Sequence, residues 1–199
     1  KAKSYEIDMC NGTLFPKILA FSVPLMLSGI LQLLFNAADM IVVGRFAGST
    51  ALAAVGANAA LINLLTNLFI GFSVGANVLV AQFYGAGKER EMSETVHSAV
   101  LLSLLCGAIL LVVGILIAPQ ILIVMGTPGD VLSQAVLYIR IYFVGIPVLL
   151  LYNFGSSILR AVGDTKRPLY YLLAAGVINI ILNLIFVIGF HLGVAGVAL

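Results

Sequence analysis

The sequence predicts an all-α integral membrane protein, a multi-spanning helical bundle, and three observations predict it. Of the 199 residues, 62% are hydrophobic and 9% are charged, and the mean hydropathy is +1.17. A soluble domain carries roughly 25% charged residues, so this chain cannot clothe a water-facing surface and lipid must be its solvent. The apolar residues fall in five runs, each long enough for the about 20 residues that a spanning helix needs. The runs are continuous, without the short strict alternation of barrel strands, and their interior Pro and Gly are tolerated in membrane helices.

Helices are expected near residues 15–46, 51–84, 95–125, 131–159 and 168–190, with a sixth starting at 193–199. The first is broken only by Asp39 and Arg45 near its far end. Lys17 ahead of the apolar run 18–34 has the look of a secretory leader. The run is long, however, and no small-x-small cleavage site follows before Asp39, so a retained helix is expected. The connections at 85–91, 126–130 and 160–167 are short and leave no room for a soluble domain. Because the chain stops where a helix begins, it is expected to be a fragment of a longer protein.

The basic residues set the orientation. Lys1, Lys3 and Lys17, then Lys88 and Arg90, then Arg160, Lys166 and Arg167 fall on one side if every helix crosses. Arg45 and Arg140 are left for the other side. Positive charge collects in cytoplasmic loops, which places the N-terminus in the cytoplasm.

Several function classes are disfavoured. The basic residues form no stripe for nucleic acid. Cys10 and Cys106 show neither CxxC nor Cys/His spacing, and Cys106 reads as an inert small hydrophobe in an apolar run. HExxH, GxSxG and Walker A patterns are missing, and Glu89, Glu91 and Glu94 lie outside the expected spans. Neither an enzyme nor a cofactor is expected.

The polar residues inside the spans are more informative. Asp39 is the one acidic residue within an apolar run, and a carboxylate there costs about 2.5–3.5 kcal/mol on the lenient insertion scale. It holds an ion, proton or substrate, or else it sits at the outer interface beside Arg45. Gln32, Asn36 and Asp39 share one helix face at i, i+4 and i+7. Pro24 lies further back and removes a backbone hydrogen bond, which makes a fixed kink or a hinge. Asn179 and Asn183 share a face of the fifth helix. Asp39 lies about 9 Å below Arg45 and Asn183 about 12 Å below His191, so the two levels can meet. One carboxylate with amide oxygens suits Na⁺; a carboxyl removed from water, which favours its neutral form, suits H⁺ equally. The competing reading of the asparagines is interhelical hydrogen-bond glue.

Asn63 and Asn67 on the second helix, with Asn58, Asn77 and Gln82, are expected to be packing glue. Asn153 and Ser156 follow Pro147 and line a cavity or pack. Tyr138 and Tyr142 read as interfacial belt or site residues. Arg140 is expected to snorkel or pair near the outer face, and His97 and His191 are expected at interfaces.

Four passages carry a family resemblance. They are Pro24 with Gln32 and the stretch 36–45 (NAADMIVVGR), the stretch 82–87 (QFYGAG), the stretch 159–168 (LRAVGDTKRP), and Asn179 to Asn183 running on to Gly189. In order and topology they resemble the multidrug and toxic compound extrusion (MATE) family, which shares a superfamily with lipid-oligosaccharide flippases. The resemblance implies a MATE-type N-lobe: five helices and the start of a sixth, in a twelve-helix transporter whose C-terminal lobe is the partner of this one. It further implies an antiporter in the plasma membrane that exports cationic or amphipathic compounds in exchange for Na⁺ or H⁺ by alternating access. By the same resemblance Asp39, Asn179 and Asn183 form a cation or proton site, and Gln32, Asn36, Tyr138, Asn153 and Ser156 line a substrate cavity. Some members carry Asp at the position of Asn183, so this chain has less negative charge there and the coupling ion stays open. The stretch 163–165 is expected to be a structural turn.

Two other functions stay in play. A flippase for a lipid-linked precursor would use the same architecture with a strongly basic cavity, and only Arg140 could supply that here. A non-transporting scaffold or sensor would tolerate replacement of Asp39.

Overall fold

The computed structural model describes residues 13–198; Lys1, Lys3 and Cys10, used above for orientation and cysteine chemistry, lie outside them. Helix α1 runs Leu14–Val42 and passes into a π-helical turn, Val43–Ala47. Then follow α2 (Ser49–Gly85), α3 (Glu89–Val124), α4 (Gly129–Ala161) and α5 (Lys166–Leu184). A second π-helical turn, Ile185–Gly189, extends α5, and the short α6 spans Val194–Ala198. Five of these helices are long and apolar enough to cross a membrane, and no strand occurs among the described residues.

Three helices end in the same way. Gly87, Gly126 and Gly163 have φ of +67°, +75° and +87°. The next amide in each case reaches back to a carbonyl of the last turn: Lys88 to Phe83 at 2.9 Å, Thr127 to Leu122 at 3.1 Å, and Asp164 to Leu159 at 2.9 Å. Glycine adopts this left-handed conformation without the Cβ penalty, so the chain reverses sharply and the connections stay short. At the last of these turns Asp164 Oδ1 accepts from the backbone N–H of Lys166 and of Arg167, both at 3.1 Å, and so caps α5.

The start of α3 differs from expectation. The helix begins at Glu89, six residues before the expected 95, because the residues between are strong helix formers. Glu89 and Glu91 lie in the first turn, where their charge is attracted by the positive end of the helix dipole, and Arg90 pairs with Glu94 one turn on at 3.0 Å. His97 therefore sits within α3, bonded to the Ser93 carbonyl at 2.7 Å, and does not start the helix.

The helices pack as two groups. In the first, α4 lies between α2 and α3. Gly107 and Gly114 of α3 let Pro147 and Phe143 of α4 approach so closely that a Cβ at either glycine would clash, the small-residue contact that replaces hydrophobic driving force in lipid. Polar pairs tie α2 to α4: Asn58 Nδ2 donates to the Ala135 carbonyl at 3.0 Å, Asn77 Nδ2 to the Ser157 carbonyl at 2.6 Å, and Ser157 Oγ to the Ser73 carbonyl at 2.8 Å. In the second group α1 packs on α5, where the ring of Phe35 covers Gly176. The groups join through the two π-helical turns and α6, where Val43, Val187, Val194 and Val197 are buried. Elsewhere they make few contacts, so α1 and α5 stand across a cleft from α2 and α4.

Candidate functional site

The face of α1 that meets α5 carries Pro24, Ser28, Phe35, Asp39 and Val42, one residue per turn or nearly so. The helix continues through Pro24, and Ser28 Oγ donates to the Pro24 carbonyl at 2.8 Å. Phe35 against Gly176 fixes the register between α1 and α5. That register brings Asp39 level with Asn179 and Asn183.

Asn183 is 2% exposed and its amide nitrogen bridges two oxygens. Nδ2 donates to Asp39 Oδ1 at 2.6 Å and to Asn179 Oδ1 at 3.3 Å. A carboxylate in an apolar bundle needs such a donor, because a bond to a charged group recovers part of its lost hydration. Asp39 thus bonds across to α5, while Arg45, the alternative partner, is exposed within the π-helical turn. Tyr138 of α4 is half-buried and packs against the core cluster. Both π-helical turns begin just beyond the cluster, four residues after Asp39 and two after Asn183. Such turns break the regular hydrogen-bond ladder and recur at functional sites.

The other expected residues are placed differently. Gln32 and Asn36 are exposed along α1 and are not joined to the cluster. Asn153 is half-buried, bonded to its own Leu149 carbonyl at 3.0 Å, and lines a small hollow with Thr66, Phe69 and Tyr142. Ser156 is buried at 5% exposure, and its neighbour Ser157 makes the contact with α2. Arg140, expected to snorkel or pair near one face, donates from Nε to the Ile115 carbonyl of α3 at 3.3 Å.

The asparagines of α2 divide. Asn58 and Asn77 bond across to α4, as packing groups do. Asn63 and Asn67 are both exposed, and Asn67 Nδ2 bonds only to the Asn63 carbonyl of its own helix, at 2.8 Å. The expectation that all of them pack is corrected here: the interhelical face of α2 points elsewhere at 63 and 67. Gln82 is likewise exposed. Sequence reasoning also overlooked Thr66, whose hydroxyl is 3.4 Å from that of Tyr142. Its place one turn from Asn63 was visible; the α2–α4 register was not.

The donor set narrows the chemistry. Among the described residues no group of three His, Cys, Asp or Glu side chains gathers. One carboxylate with two carboxamides offers hard oxygens and a single negative charge, which fits one monovalent cation or one proton.

Residues 24–185 match the MatE family model. Over 169 residues the chain is 37% identical to the probable multidrug resistance protein YoeA of Bacillus subtilis, an alignment that covers 85% of this chain and 36% of that protein. Over 190 residues it is 27% identical to the multidrug export protein MepA of Staphylococcus aureus, covering 95% and 42%. Among solved structures it is similar to a multidrug resistance MATE family transporter of the MOP superfamily in its outward-facing conformation. That match has a TM-score of 0.89 at 27% identity and covers 100% of this chain and 44% of that one. The chain therefore spans about two-fifths of the length of these relatives.

Proposed function

The chain belongs to the MatE family of multidrug efflux transporters, and from that premise we propose that it is the N-terminal lobe of an antiporter that couples export of cationic or amphipathic compounds to entry of Na⁺ or H⁺. The lobe lies in the plasma membrane with its N-terminus cytoplasmic, and a C-terminal lobe of the same protein completes the substrate path. The observation that carries the reading is the hydrogen bond from Asn183 to Asp39, which holds a membrane-embedded carboxylate between two helices, α1 and α5, that pack apart from the rest.

The coupling ion binds at Asp39, with Asn179 and Asn183 beside it. A proton on the second carboxylate oxygen of Asp39 neutralises the charge and leaves the Asn183 bond in place. Na⁺ takes a carboxylate oxygen together with amide oxygens, which requires Asn183 to turn its oxygen toward Asp39. Either ion removes the unpaired charge, and the energy released biases α1 and α5 between two positions relative to α2–α4. Pro24 gives α1 a bend point, and the π-helical turns give the two helices a junction already free of regular backbone bonding. Gln32, Asn36, Tyr138, Asn153 and Ser156 face or flank the substrate path. The groups there are hydroxyls and carboxamides, a surface suited to cations more than to the pyrophosphate of a lipid-linked precursor.

The test uses the full-length protein in proteoliposomes loaded with a fluorescent lipophilic cation. An imposed inward gradient of H⁺ or of Na⁺ is expected to drive dye release, and the effective gradient names the ion. Release that ignores both gradients would refute the antiporter.

A further inference from the structure

We infer that α2 forms a wall of the substrate path, with Asn63 and Asn67 touching the transported organic cation below the ion site. The inference rests on the transport reading above and adds residues to it.

The argument begins with cost. Helix α2 spans Ser49–Gly85, so Asn67 is its central residue and Asn63 lies one turn away. Both carboxamides are exposed, and among the described residues the Asn63 side chain has no hydrogen-bond partner. A carboxamide facing hydrocarbon at the middle of a bilayer loses its water bonds without replacement. Asn58 and Asn77 show what α2 does with an amide when packing is the purpose: each reaches α4. The described residues leave the face at 63 and 67 uncovered, so it meets water, a polar solute or the C-terminal lobe, and its neighbours argue for the first two.

The neighbours point to the cleft. Thr66 lies one turn from Asn63, on the α4 side of it, and its hydroxyl meets that of Tyr142 beside Asn153. Levels agree as well. Counting from the ends where α1 meets α2, Gln32, Asn63 and Thr66 lie about 21–25 Å down, against about 12 Å for Asp39. A tier of neutral oxygens and one aromatic ring thus underlies the charged site. Carboxamide oxygens and a phenol ring attract an organic cation without holding it as a carboxylate would, which lets it move on.

Single cysteines at Asn63, Asn67 and Leu64 test this in the full-length protein with Cys10 and Cys106 replaced by serine. Leu64 is 67% exposed on the adjoining face and serves as the lipid-facing control. A membrane-impermeant sulfonate thiol reagent is expected to label N63C and N67C at least tenfold faster than L64C. Saturating tetraphenylphosphonium is expected to slow that labelling severalfold. Labelling no faster than at L64C would place the face against lipid or protein and overturn the inference; fast labelling that the cation does not slow would overturn the solute contact. Because labelling reads water access and contact directly, it stands whichever ion drives transport and whether or not Asp39 couples it.

Discussion

Asn183 is the residue on which the site turns, because one amide group serves both Asp39 and Asn179. A hydrogen bond to a charged group is worth about 1.5–3 kcal/mol, and 1.4 kcal/mol is a tenfold change in an equilibrium constant. Asn183→Ala is therefore expected to shift the half-saturating concentration of the coupling ion by about 10- to 100-fold, read from dye export against ion concentration. An unchanged half-saturation would remove Asn183 from the site. Depth in the sequence allowed Asp39 to meet Asn183, since each lies a countable number of residues from a polar marker at the helix end, and the family resemblance, not depth, paired them. The division among the α2 asparagines was not. Helical phase separates Asn63 from Asn58, but which phase packs is decided by Ala135 and Ser157 on α4, through a register that no single helix encodes.

Among the elements, α1 and α5 act as a pair, and Gly176 under Phe35 holds them at site distance. Gly176→Leu is expected to overpack this contact at a cost of about 1–3 kcal/mol. It should weaken ion-driven export although no site residue changes. Gly75→Leu on α2, on the face of Leu64 and where a Cβ meets nothing within 4 Å, is the matched control and should leave both melting temperature and export near wild type. Equal behaviour of the two variants would dissolve the pairing argument. Helix existence was legible here because hydropathy reports it directly. The early start of α3 was missed because hydropathy is blind to the charged but strongly helical residues 89–94, and the π-helical turns were missed because an extra residue per turn leaves no compositional trace.

On the scale of the whole molecule, five helices long and apolar enough to cross a membrane, with the short α6, match about two-fifths of a transporter fold. The proposed orientation, with the N-terminus in the cytoplasm, rests on the positive-inside count. In whole cells Lys88→Cys is expected to resist an impermeant maleimide until the membrane is opened, whereas Thr127→Cys reacts at once. The reverse pattern would invert the lobe and with it the direction of export. Many exposed apolar side chains, Leu33, Val124 and Val148 among them, suit a lipid-facing surface. The polar residues between the two helix groups suit a solvated cleft.

The central claim is that Asp39 carries the coupling ion, and the direct measurement is gradient-driven dye export by Asp39→Asn in the full-length protein, beside wild type reconstituted at equal amounts. Asparagine keeps the size and the hydrogen-bonding reach of aspartate but can neither take up a proton nor offer a charge. The account predicts that the variant still binds the dye and loses at least tenfold in export rate under the gradient that drives wild type. Export at the wild-type rate would contradict it.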